Sequence, residues 1–151
     1  MDVWELVARE EIRELVARYA HCADSGRFEE LVALFAEDGL LEIDDREPLR
    51  GRDAILAFLA STRSSAQKSP AARSIRHHVS SLRIDVSARD AATGSSYFLV
   101  VTQRGPDHWG RYRDRYAVSD GRWVFAARQV RVEGTAPGSW AAARRGAPPS
   151  R

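Results

Sequence analysis

Cysteine is almost missing from this chain. Cys22 is the single thiol, so no internal disulfide can form, and the cysteine set of a structural zinc site is not there. Long apolar runs are missing as well. No stretch approaches the roughly 20 residues that a helix needs to cross a bilayer. Neither sign of charge dominates: 23 Lys and Arg stand against 21 Asp and Glu, a formal net charge of +2. The small basic surplus gathers late, in "AAARRGAPPSR". A tail of that kind is not the basic and aromatic groove of a nucleic-acid binder. The opening "MDVWELVAREEIRELVARYA" is acidic and amphipathic, unlike a signal peptide or a basic transit peptide. The expectation is a cytoplasmic protein with no nucleic-acid or membrane partner.

What is present suits one compact domain. The chain has 151 residues, 44% of them hydrophobic, enough to bury a core. Ile12, Leu15, Val16, Tyr19, Ala20 and Ala23 fall at the helical period, which predicts an amphipathic helix over residues 4–23. "DSGR" breaks it. A second helix is expected to carry Phe28, Leu31, Val32 and Phe35 inward and to stop at "AEDG". "LLEID" reads as a short strand and "REPLRGRD" as a loop. Ile55, Phe58 and Leu59 mark a third helix, and "STRSSAQKSPAARS" reads as an irregular, flexible segment.

The second half changes period. "IRHHVSSLRIDV", "SSYFLVVTQ", "GRYRDRYAV" and "RWVFAARQVRVE" read as four strands in series, joined by turn-rich connections. Such strands pair antiparallel. Helices first and a strand meander after make an α+β plan: three helices packed on a curved, mainly antiparallel sheet, a cone-shaped α+β barrel enclosing an apolar pocket. The domain is expected over residues 1–135. The tail, 136–151, carries one large apolar residue, Trp140, able to dock back on the body.

The order and spacing of "EIRELVARYAHCADSGRFEELVALFAEDG", "RGRDAI", "RHHVSSLRIDV", "GRYRDRY" and "DGRWVFAAR" resemble the SnoaL-like branch of the nuclear transport factor 2-like superfamily. The match is nearest to its scytalone dehydratase, lindane dehydrochlorinase and bile acid dehydratase group. That resemblance implies a histidine on the first long strand paired with an aspartate at the end of the first helix. Carried over, these are His77 and Asp24, with Tyr19 and Arg128 completing the set. It also implies a homo-oligomer, trimer or dimer.

The residues themselves allow plainer readings. Asp24 before Ser-Gly suits a turn or cap. Tyr19 lies on the apolar stripe, where core packing is its default. Spacing puts Tyr19 and Asp24 roughly 140° apart on an ideal helix, so they converge only if the helix loosens near Ala23. Arg128 shares parity with Val124, Ala126 and Val130, which calls for a partner to its charge. Parity with Leu82, Ile84 and Val86 turns His78, not His77, toward the apolar side. The two assignments agree only if a β-bulge around Ser80–Ser81 shifts the phase. His78, Tyr97, Trp109 and Tyr112 are further candidates for the pocket wall and substrate contact. Ile43 occupies the position where ketosteroid isomerases on this fold carry a catalytic Asp, which marks that reading down. No metal and no cofactor are implied.

The expected activity is a cofactor-independent, dehydratase-like elimination on a small, largely apolar ring compound, with His77 as base, Asp24 orienting it, Tyr19 donating to a substrate oxygen and Arg128 anchoring a leaving or anionic group. A polyketide cyclase or isomerase would use the same pocket. A noncatalytic ligand-binding protein or oxygenase small subunit would share the fold alone.

Overall fold

In a computed structural model of the chain, which describes residues 1–145, the first helix, α1, runs over Val3–Ser25. Its buried stripe is Ala8, Ile12, Leu15, Val16, Tyr19 and Ala20, the period anticipated from sequence. Gly26 closes it in the left-handed region at φ 69°, and the Arg27 N–H reaches back to the Cys22 carbonyl at 3.0 Å. A five-residue helix, α2 (Phe28–Val32), follows.

Here the chain departs from the sequence reading. Phe35 is not on a helix but opens strand β1 (Phe35–Ile43), which contains "AEDG". Leu34 accepts from the Phe125 N–H at 2.8 Å, and Phe35 is paired with Phe125. Burying Phe35 against that ring outweighs one more helical turn. Gly39 marks an irregularity inside β1: a Cβ there would lie 2.9 Å from the Ala36 carbonyl oxygen. A two-residue strand, β2 (Leu49–Arg50), returns beside β1.

Helix α3 spans Arg52–Lys68, so the segment expected to be irregular begins as the last turns of a helix. Tertiary packing explains this, because Ala66 is buried with Ala71, Ala72 and Trp140. Then come β3 (Ile75–Ala88), β4 (Ala91–Thr102), β5 (Gly105–Ser119) and β6 (Arg122–Thr135), and a short helix α4 (Trp140–Arg145). Trp140 docks back on the body; residues 146–151 of the expected tail lie outside the described residues.

The six strands are ordered β2-β1-β6-β5-β4-β3 in one curved sheet that stays unclosed. Among the described residues, only β1 and β6 pair in parallel, and the other strand pairs are antiparallel. The main core joins Ile12, Leu31, Phe35, Leu41, Ile55 and Phe125 between helices and sheet. α1 lies against β3, where Arg9 donates to the Ile84 carbonyl. No helix among the described residues is long and apolar enough to cross a membrane.

Candidate active site

The phase conflict on β3 is resolved by the backbone. The β3–β4 register shifts between Ser80 and Arg83, and Ser81 takes φ 54°. That bulge makes both halves of the strand agree with burial. Before it, His77 and Val79 turn inward; after it, Leu82, Ile84 and Val86 do. His78 is exposed on the outer face.

Asp24 sits in the last turn of α1, directly over His77. Its Oδ1 lies 2.6 Å from His77 Nδ1, and the His77 backbone N–H donates to both carboxylate oxygens at 3.1 Å. A carboxylate at Nδ1 fixes the Nδ1–H tautomer and leaves Nε2 as a base. Asp24 reaches this position from a helix that stays regular to Ser25. The loosening near Ala23 required by the angular argument is absent, since Asp24 extends sideways to β3 while Tyr19 points to the sheet.

Both residues line one cavity of about 350 Å³, bounded by α1, α3, α4 and the concave face of the sheet. That is near the lower end for small-molecule sites. Its wall includes Phe58, Phe98, Val100, Tyr112 and Val130 beside Tyr19, Asp24 and His77. Tyr112 stacks on Phe98 with ring centroids 4.7 Å apart.

Tyr19 is buried, and burial raises its pKa despite the opposing Arg128 charge. The phenol therefore stays protonated at neutral pH. Arg128 does not reach the cavity wall. It is fully buried behind it, with Nε and one terminal nitrogen on the two oxygens of Asp114 at 2.9 and 2.8 Å. Asp114 is its direct cross-strand partner and also accepts from the Tyr116 hydroxyl at 2.9 Å. Burial disfavours the guanidinium charge, but the Asp114 carboxylate more than offsets that and raises its pKa. The cation lies 4.0 Å from the Tyr112 ring centroid and 4.2 Å from that of Tyr19, close enough to fix both rings.

Three further candidates lie elsewhere. His78, Tyr97 and Trp109 project from the outer face, with Tyr97 58% and Trp109 39% exposed. The expectation that they touch substrate is corrected by strand alternation: His78 pairs with Leu99, which pairs with Trp109, so this row sits on the side away from the cavity.

Sequence reasoning missed a second histidine–aspartate pair. His108 lines the same cavity, and its Nδ1 lies 2.7 Å from Asp107 Oδ2. Asp107 is buried and accepts from Ser139 Oγ at 2.8 Å and from the Trp140 N–H at 2.9 Å, which ties α4 to β5. His77 pairs with Val100 and Val100 with His108, so the two imidazoles share one lateral row, about 10 Å apart at the backbone by strand spacing. The signal was the alternation of "GRYRDRY": carried two residues back from the inward Tyr112 and Gly110, it reaches His108. No group of three or more His, Cys, Asp or Glu among the described residues is placed to hold a metal.

Comparison with known proteins agrees with this fold. Residues 4–129 match the model of a SnoaL-like domain. No curated protein matches the chain in sequence. Among solved structures, a scytalone dehydratase-like protein of Novosphingobium aromaticivorans is 28% identical, with 90% of this chain and 91% of that one covered at a TM-score of 0.78. A protein of unknown function with a cystatin-like fold, from Nostoc punctiforme, is 27% identical over 85% of this chain and 93% of that one, at a TM-score of 0.74. LinA, 18% identical over 88% of this chain and 90% of its own, shares the fold at a TM-score of 0.76.

Proposed function

The chain belongs to the SnoaL-like domain family, and on that premise we propose that it is a cofactor-independent lyase eliminating water or another leaving group from a small, largely apolar ring compound. The observation that carries this reading is the Asp24–His77 contact at the wall of a partly open, mostly apolar cavity.

His77 Nε2 takes a proton from a carbon beside an activating group. The C–H electron pair becomes the new double bond as the leaving oxygen departs from the neighbouring carbon. The imidazolium, stabilised by Asp24, returns the proton to that oxygen, so water leaves and the base is restored. Tyr19, kept protonated by burial, donates a hydrogen bond to the substrate oxygen. Arg128 acts through Tyr19 and Tyr112 as a positioning residue, not as the anchor of a leaving group. Acid–base action of this kind contributes about 10² to 10⁴ in rate.

The test is a panel of cyclic β-hydroxy ketones, followed by the ultraviolet absorbance of the conjugated product. Elimination is expected with the natural chain and loss of about 10²-fold or more in His77→Asn. Full turnover in that variant overturns the base assignment.

The outer face supports self-association. Tyr97 and Trp109 form an exposed aromatic patch beside His78, the kind of surface that partners cover. We read it as the contact of a homodimer or homotrimer. Light scattering is expected to show one of these, and a monomer for Trp109→Glu.

A further inference from the structure

The mouth of the cavity holds an unusual concentration of one charge. Among the described residues, Arg46, Arg63, Arg73 and Arg144 lie on its lining against two acids, Asp24 and Asp44. Asp24 is engaged with His77, and Asp44 accepts from the Val132 N–H at 2.9 Å. Arg63 turns to the Ser25 carbonyl at 3.5 Å. Arg46, from the β1–β2 turn, and Arg144, from α4, converge on one ring: their guanidinium carbons lie 5.9 and 5.8 Å from the centroid of Phe58. Neither forms an ion pair with a carboxylate among the described residues. Burial, and then the facing Arg46, lowers the pKa of Arg144. Two cations brought together with no ion-paired carboxylate among the described residues repel, and an anion between them removes that repulsion.

A second observation points to the same place. The indole nitrogen of Trp140 and the hydroxyl of Thr62 are buried and have no hydrogen-bond partner among the described residues. Both residues are part of the cavity lining, and the Arg144 guanidinium lies 5.1 Å from the Trp140 ring. Buried donors are normally paired. Neither atom faces the open cavity as it stands, so a ligand with acceptor oxygens reaches them through a small shift of the lining.

We propose that Arg46 and Arg144 form an anion subsite at the cavity mouth, and that the ligand is a ring compound bearing an oxyanion, carboxylate or phosphate, at the end remote from His77. The charged end sits between the two guanidiniums over Phe58, with Trp140 and Thr62 donating to its oxygens. The ring then extends inward past Phe98 to the imidazole. This deepens the lyase reading by giving the substrate a charge, but it is tested by binding alone.

The experiment is calorimetric titration of the full chain with 2-naphthoate, 2-naphthyl phosphate and neutral 2-naphthamide. At least one anion is expected to bind about tenfold or more tightly than the amide, as a charge-assisted contact requires. The advantage should shrink between low and high salt and collapse in Arg46→Gln/Arg144→Gln. A stronger carboxylate points to a ring acid; a stronger phosphate points to a phosphorylated ligand. The proposal is overturned if the amide binds as well as the anions, if none of the three binds, or if the advantage survives in the double variant. Salt dependence in the natural chain provides a readout independent of any variant's folding. His77→Asn should keep the anion preference, so a protein that selects anions yet performs no elimination retains the subsite and loses the lyase reading.

Discussion

Asp24 holds His77 twice, once at the imidazole Nδ1 at 2.6 Å and once at the backbone N–H at 3.1 Å. One carboxylate thus sets the tautomer of the ring and the position of the strand that carries it. α1 and β3 are joined at the point where the chemistry is assigned. Orientation and folding therefore depend on the same side chain, and substitutions can separate the two.

Asp24→Asn keeps an acceptor for the His77 backbone but removes the negative charge behind the ring. Turnover is expected to fall by about 10² or more, in line with loss of an orienting carboxylate, while the fold is little changed. Asp24→Ala also leaves the His77 N–H without its acceptor and should cost about 1–3 kcal/mol of stability. Steady-state kinetics beside urea unfolding separates them. Equal turnover in Asp24→Asn and the natural chain would remove Asp24 from the mechanism.

Ser81 at φ 54° is the hinge of the strand's phase. Left-handed backbone costs a non-glycine residue about 1–2 kcal/mol, so Ser81→Gly should be tolerated or mildly stabilising and Ser81→Val destabilising. Deleting Ser81 removes the extra residue. Either His77 or the Leu82–Ile84–Val86 half must then face outward, and the apolar half holds the core. The expected result is a folded chain with no His77–Asp24 coupling in its imidazole NMR spectrum. A deletion variant that keeps the coupling would show that the bulge does not set the phase.

The four long strands were legible because their alternation runs on for many residues, and α1 because its stripe repeats over several turns. The start of β1 was not. Phe35 suits a fourth helical position and a buried strand equally, and only its partner Phe125, ninety residues away, decides. The end of α3 was hidden for the same reason: its polar residues gave no stripe, and Ala66 is held by Trp140 from the far end of the chain. In the site, Asp24 and His77 were reached through family resemblance and a parity conflict that required a bulge. His108 was lost because it lies in the turn-rich connection before "GRYRDRYAV", whereas β5 already begins at Gly105. Tyr97 and Trp109 were misplaced because aromatic residues on a strand do not declare which face is covered.

Arg128 and Asp114 are both fully buried and bonded through two parallel contacts. Removing one partner strands the other charge, so Arg128→Met or Asp114→Leu alone should cost about 3–5 kcal/mol. The combined Arg128→Met/Asp114→Leu variant should recover much of that loss. Tyr19 and Tyr112 would lose the cation that packs on both rings, so kcat is expected to stay low even where stability returns. Urea midpoints for the two single variants and the pair close the cycle. Simple additivity would mean that the ion pair is not the unit holding this part of the wall.

Asp107 gives the chain an acid-sensitive joint. Burial alone would raise its pKa, but hydrogen bonds from the Trp140 N–H, His108, Ser139 and the Ala141 N–H outweigh it and hold the carboxyl below the usual aspartate range. A carboxyl depressed in the folded state stabilises fully above its unfolded pKa, about 3.9, and loses that contribution as pH falls through the folded value. Asp107→Asn cannot accept with both oxygens, so at pH 7 its Tm should lie below that of the natural chain. The gap should persist to about pH 4 and then narrow, because protonation makes the natural residue resemble its variant. Fluorescence of Trp140, docked beside Asp107 through its backbone N–H, should shift in the same acid window as α4 loosens. A Tm gap that stays constant down to pH 2 would mean that the ionised carboxylate is not what ties α4 to β5.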